Sequence, residues 1–174
     1  MTVCALGDIS RFRKENVSVD KLPYVSTESM LPNRGGIGDL GVKPSTTKAR
    51  LFRKGDTLVS NIRPYFKKIW QAEYDGCCSA DVLVFESTDC DPDYLYWVLS
   101  DDSFFDYMVA SSKGTKMPRG DKEAIMRYQL SSMSESAQKR VVTLLNPIRE
   151  LIRINQRTND YLFECCTAKM RDIA

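Results

Sequence analysis

Apolar positions follow two rhythms along this chain. Up to Met133 they fall in short runs broken by glycine, proline and asparagine; beyond it they repeat at helical spacing without interruption for some forty residues. Thr57 to Ile62 predicts a short strand, entered from a turn at Lys54, Gly55 and Asp56. Asp81 to Glu86 predicts another. Its four successive apolar residues, Val82 to Phe85, imply burial on both faces. Tyr24 to Ser26 is a shorter candidate, and Pro32 to Gly41, with four glycines, is a loop. From Asp91 to Ser100 the pattern is helical: Asp91 can cap, Pro92 suits the first turn, and Leu95, Val98 and Leu99 share a face. Asp101 to Ala110 predicts a second helix whose Phe104, Phe105, Met108 and Val109 belong to a core rather than to a base-stacking platform. Lys113 to Gly120 is a basic loop, Asp121 to Met126 a short helix, and Tyr128 to Leu130 a short strand. The fold class is therefore α+β, a mixed domain over residues 1–133 followed by a helical region over 134–174.

The C-terminal region predicts a helix from a Ser134 cap to about Leu145. A new start at Asn146-Pro147 then leads to a second helix reaching about Ile173. Positions 141, 145, 148, 152, 155, 159, 162 and 166 alternate steps of four and three, as a coiled-coil seam does. Ile148, Leu151, Ile152, Asn155, Asn159 and Leu162 are the expected dimerisation residues. Asparagine in a seam lowers stability and selects register or partner number. The other reading is a helix packed on its own domain with the asparagines at the edge.

Composition removes several chemistries. The 174 residues include no histidine, which excludes Ser-His-Asp and Cys-His triads and any histidine-ligated metal site. No nucleotide-binding glycine motif occurs. Six cysteines, two pairs of them adjacent, read as reduced thiols, and a nucleophilic role for Cys77 or Cys78 lacks a base. No apolar run is long enough for a membrane span or a secretory signal, so cytoplasmic residence is expected. Neither catalysis nor a resident cofactor or metal is expected of this chain.

Net charge is only +2, but it is segregated. Lys43 to Lys68 carries eight basic residues against one acid. Glu73 to Asp106 carries ten acids and no base, and Lys113 to Arg127 five bases against two acids. Such blocks can build a positive face suited to a phosphate backbone on a nearly neutral protein. They can equally be solvated faces that pair with one another.

Five stretches, in order, resemble the specificity subunit of type I restriction–modification systems. They are Leu6-Gly7-Asp8-Ile9, Tyr24 to Asn33, Lys54 to Tyr65, Gly114 to Asp121, and the helical region with Ala137 to Val141 and Asn155 and Asn159. The family usually carries two recognition domains and two helices in one chain, whereas one of each is present here, which resembles half-length subunits that pair as homodimers through antiparallel helices. The proline-rich stretch that often precedes the helix is replaced by Leu130 to Ser134. The resemblance implies a non-catalytic subunit that directs adenine methylation and restriction to a gapped, bipartite site on double-stranded DNA. It implies methyltransferase subunits as partners, which would carry S-adenosylmethionine, and a motor-nuclease subunit beside them.

Base readout needs donors and acceptors at base edges, while phosphate contacts set position. Asn61 and Arg63 suit bases; Lys67 and Lys68 suit phosphates. Lys113, Thr115, Lys116 and Arg119 form a second contact set, and the Asn33 to Gly41 loop a third. Structural roles for Arg63 and for the 113–120 loop stay open, as does a DNA-binding or protein-interaction adaptor, such as a phage-defence module, outside restriction.

Overall fold

The computed structural model describes residues 3–40 and 47–173; Gly41 of the glycine-rich loop and Lys43 of the basic block lie outside them. In chain order the elements are β1 (Val3–Ala5), α1 (Leu6–Ile9), β2 (Ser10–Phe12), β3 (Asn16–Ser18), β4 (Tyr24–Val25), β5 (Lys48–Phe52), β6 (Thr57–Ser60), β7 (Ile69–Gln71), β8 (Gly76–Cys78), β9 (Val82–Ser87), α2 (Pro92–Ser100), α3 (Asp102–Ala110), α4 (Lys122–Met126), β10 (Gln129–Ser131) and α5 (Glu135–Ile173). Single 3-10 turns cover Val19–Lys21 and Pro64–Phe66.

An antiparallel sheet in the order β2-β9-β6-β7 forms the centre. A second sheet, β3-β5-β8-β4, packs on one of its faces, with β4 parallel to β8. Helices α1 to α4 cover the other face. This layering accounts for the unbroken apolar run of β9. Leu83 and Phe85 alternate toward the helices, joining Leu6, Val59, Ile69, Leu95, Phe104, Phe105 and Met108. Val82 and Val84 alternate toward the second sheet, joining Val25, Phe52, Leu58, Trp70 and Cys78. A strand sandwiched this way has no solvent face and needs apolar residues at both parities. Helices α2 and α3 form as expected, with Asp91 accepting from the amides of Asp93 and Tyr94 and Asp101 from that of Ser103. Phe104, Phe105 and Met108 are core residues, at most 1% exposed, whereas Val109 is 39% exposed.

One buried arginine ties β2 to the turn into β6 and to β9, and its backbone meets the second sheet. Arg13 leaves β2 and donates from Nε and an Nη to the two carboxylate oxygens of Asp56, at 2.7 and 3.0 Å. It also lies 2.6 Å from Glu86 of β9. Asp56 accepts from the amide of Arg53 at 2.8 Å, closing the turn into β6. From the second sheet, Arg50 donates to the Arg13 carbonyl at 2.6 Å.

The C-terminal region departs from expectation. A single helix of 39 residues runs from Glu135 to Ile173, with Pro147 inside it and no new start at Asn146. A proline in the interior removes one helical hydrogen bond, and tertiary contacts offset the loss. Asn146 is a packing residue rather than a cap: its carbonyl accepts from the Trp97 indole at 2.9 Å and its amide donates to Asp93 at 2.7 Å. Arg149 sits over the rings of Tyr96 and Trp97 and donates to Gln71. Arg153 reaches Glu73 at 3.1 Å, the last side-chain bond from helix to body among the described residues. From Ile154 to Arg171, eighteen residues, about 27 Å of helix, are exposed or nearly so.

Arg13→Ala would leave Asp56 facing a void with its charge uncompensated, and Glu86 paired with Arg11 alone. The expected loss is about 3 kcal/mol, read as a lower urea midpoint. Arg13→Met with Asp56→Leu should recover only part of it: one buried charge is removed, but the Arg53 amide loses its acceptor and Glu86 keeps its charge.

Candidate nucleic-acid interface

Three segments that are far apart in sequence meet at one end of the central sheet, and backbone hydrogen bonds hold them there. The amides of Asn33 and Arg34 donate to the carbonyls of Phe66 and Lys67 at 2.8 and 2.9 Å. The amide of Arg63 donates to Pro118 at 2.9 Å, and Ile62 bridges to Arg119. The chain at Lys113 and Arg119 exchanges two 2.9 Å bonds, so residues 114–118 form a closed tip. Lys68 donates from Nζ to the carbonyl of Thr27 at 2.7 Å, adding the segment before the glycine-rich loop. The three sets of candidate contacts, 33–40, 61–68 and 113–119, are thus one surface.

The backbone of this surface is unusual. Four non-glycine residues among those described have positive φ: Asn33 (53°), Arg34 (61°), Arg63 (50°) and Lys67 (50°). All four belong to the joined segments. Left-handed backbone disfavours side chains with a Cβ by about 1–2 kcal/mol each, and such strain concentrates at functional sites. Glycine would be the relaxed choice, and Gly36 and Gly114, at 78° and 96°, take it. Arginine or lysine instead of glycine at three positions puts a cation where backbone preference argues against one.

Seven cations lie on these segments: Arg34, Arg63, Lys67, Lys68, Lys113, Lys116 and Arg119. Three carboxylates engage four of them. Asp102, in the first turn of α3, accepts from Arg34 and from Lys67, the latter at 2.6 Å. Asp81, just before β9, pairs with Arg119 at 3.1 Å. Asp121, the cap of α4, pairs with Lys113 at 2.6 Å. Lys67 and then Arg34 hold the Asp102 carboxyl at about 2, and Lys113 with the α4 amides does the same for Asp121. For a depressed carboxylate the stabilisation is present above its ordinary value of about 4 and lost as pH falls through about 2. Both groups are therefore charged near neutrality. Arg63, Thr115 and Lys116 are exposed, and no side-chain bond engages them among the described residues.

Two aromatic rings complete the surface. Tyr65 and Phe66, 50% and 40% exposed, sit side by side with centroids 4.8 Å apart. Lys68 lies 6.0 Å above Phe66. Sequence reasoning passed over both rings, although Pro64-Tyr65-Phe66 flanked by Arg63 and Lys67 was a readable signal of aromatics among cations. Arg34 and Asp102 could not have been singled out, because their roles depend on a backbone turn and on a distant helix.

Asn61 stands differently from the expectation for it. It is 5% exposed, its amide donates to the Asp81 carbonyl, and its carbonyl accepts from Gly120. Its Oδ1 is buried without a hydrogen-bond partner among the described residues and would sit 2.9 Å from a Cβ at position 120, which favours glycine there. Asn61 therefore packs behind the surface and joins strand to loop rather than reaching a base edge.

The α5 residues expected to dimerise form an exposed stripe. Ile148, Leu151, Ile152 and Leu162 are 49%, 60%, 54% and 54% exposed, with Asn155 and Asn159 between them. The first two positions of the proposed seam, Val141 and Leu145, are half-buried, and Val141 packs against the domain's own core. The helix thus serves both readings: its first half lies on the body and its second half offers an uncovered apolar face. Elsewhere, Cys77 and Cys78 are fully buried, and burial pushes the Cys78 thiol up to about 12, which removes it as a nucleophile near neutral pH. No helix among the described residues is long and apolar enough to cross a membrane.

Arg63→Gly should relieve its left-handed strain and raise stability by about 0.5–1 kcal/mol, the left-handed penalty less glycine's entropy loss. Thermal denaturation checks it. A loss of stability on this exposed change would mean that Arg63 serves the fold.

No protein-family model and no curated protein matches the sequence. Solved structures do match. The chain is similar to the HsdS subunit from Thermoanaerobacter tengcongensis, with a TM-score of 0.69 and 20% identity. It is also similar to a chain from work on complex assembly and conformational transition of the type I R-M system (TM-score 0.71, 21% identity). A third match is the type I restriction-modification system S subunit from M. genitalium (TM-score 0.56, 16% identity). Each similarity covers 90% of this chain but only 42–44% of the solved one, so the chain spans less than half the length of these subunits. The α+β domain with its long C-terminal helix is thus a fold found in HsdS subunits.

Proposed function

We propose that this chain is a DNA sequence-recognition subunit of a type I restriction–modification system. The observation that carries the reading is the joined surface of three loops. It concentrates seven cations, two exposed aromatic rings and all four left-handed non-glycine residues on the described part of an HsdS-like fold. Phosphate contacts need such a cluster of cations. Base readout needs side chains on a rigid support, which the backbone bonds between the loops supply. Arg63 and Lys116 are the uncommitted cations, and Arg63 is the natural guanine reader among them, through a bidentate contact.

The finer reading follows from α5. Its uncovered stripe pairs two copies in antiparallel fashion and sets two recognition domains apart, so that a two-fold dimer reads a gapped palindrome. The chain itself is non-catalytic. Methyltransferase subunits dock along the helices and bring S-adenosylmethionine for adenine methylation, and a motor-nuclease subunit completes the complex.

Two experiments test this proposal. Selection from a pool of random duplexes should enrich a bipartite motif with a fixed gap, and Arg63→Gly should relax the preference at one position of each half while the fold stays intact. Enrichment of no motif, by a chain that binds DNA, would contradict sequence recognition. Separately, Leu151→Asp with Leu162→Asp should give a folded monomer by light scattering, whereas a persistent dimer would move the dimer contact away from the stripe.

A further inference from the structure

We infer that Arg34 and Lys67 form a clamp for one backbone phosphate of DNA, and that Asp102 occupies this clamp in the free protein as a stand-in for the phosphate. The inference rests on the DNA-binding reading above and deepens it.

The geometry is that of a preformed anion site. Arg34 and Lys67 come from different loops, but the amide of Arg34 is tied to the carbonyl of Lys67 at 2.9 Å, so the two side chains start from neighbouring points. Both residues are left-handed, which directs their side chains in a way that ordinary backbone would not. The guanidinium is fixed further by its Nε, which donates to the carbonyl of Ser100 at 2.6 Å, and it lies 5.8 Å from the Phe105 ring. Both cations donate to the same oxygen, Oδ1 of Asp102. One carboxylate oxygen shared by a guanidinium and an ammonium sits where a phosphate oxygen would sit, because both cations recognise oxyanions by charge-assisted hydrogen bonds.

Stability does not explain the arrangement. Asp102 has its side chain 65% exposed, and exposed ion pairs contribute little to folding. The cap of α3 is supplied by Asp101, so the helix does not need Asp102 as its cap. Asp121 on the same surface differs, because it caps α4. What Asp102 does is make a phosphate compete. Arbitrary DNA is held mostly through phosphate contacts. A clamp already filled by an internal carboxylate therefore weakens that binding and lets the subunit leave wrong sites quickly. On a bound duplex the phosphate displaces Asp102, which turns to solvent without crossing a buried boundary.

The test is fluorescence anisotropy of the full chain with a random-sequence duplex over a range of salt. Asp102→Asn should bind about tenfold tighter at low salt, and the plot of log affinity against log salt should steepen by about one, as for one added phosphate contact. Lys67→Gln in the Asp102→Asn background should abolish the gain. Asp106→Asn, which removes an exposed charge one turn along α3, should give a much smaller gain. Unchanged or weaker binding by Asp102→Asn, or an equal gain from Asp106→Asn, would overturn the clamp and leave the DNA-binding reading standing. No binding by the wild type and by Asp102→Asn alike would overturn the DNA-binding reading itself.

Discussion

Arg13 is the contact on which the rest of this structure depends. Arg13 is 8% exposed; its guanidinium reaches the turn before β6 and the end of β9, and its backbone carbonyl accepts from Arg50 of the second sheet. The central sheet is apolar on both faces, and dispersion and burial hold layers together without fixing their relative position. A bidentate ion pair is directional where the hydrophobic effect is not. Buried pairs add little net stability, but the removal of one partner is expensive, so the pair holds β2 in one position against the turn into β6.

That rigid stack supports the opposite end of the sheet, where the cationic loops meet. The chain between β6 and β7 and the loop before α4 are anchored on β9 and on each other, through Asn61, Asp81 and Gly120. Strain in the surface loops can persist because the elements beneath them over-determine their ends. The same stack receives the first half of α5 along α2, so the cationic surface and the projecting helix are held to one body.

Much of this was legible in the sequence, for stated reasons. The two-sided burial of β9, the helix capped at Asp91, the helix beginning near Asp101, the turn at Gly55 and the apolar repeat from Ile148 to Leu162 all come from local pattern, and local pattern survives folding. The three contact sets were also readable, but not their union, because the bonds from Asn33 to Phe66 and from Arg63 to Pro118 span 33 and 55 positions. Asn61 misled because an asparagine in a basic segment looks like a base reader, and only the close approach of Gly120 puts it behind the surface. Asn146-Pro147 misled because a cap and a first-turn proline are a sound local signal. The packing of Asn146 against Trp97 and Asp93 overrides it. The short strands β1, β2, β3, β7 and β8 have too few residues for their period to show.

If this chain chooses the DNA site at which a partner acts, as proposed, methylation mapping should reveal that choice. The chain would be co-expressed with a type I methyltransferase subunit that forms a complex with it, and adenine methylation read across the host genome with and without it. Methylation is expected at one gapped, palindromic motif and should vanish when this chain is omitted. An intact complex with an active methyltransferase and no chain-dependent motif would contradict the proposal.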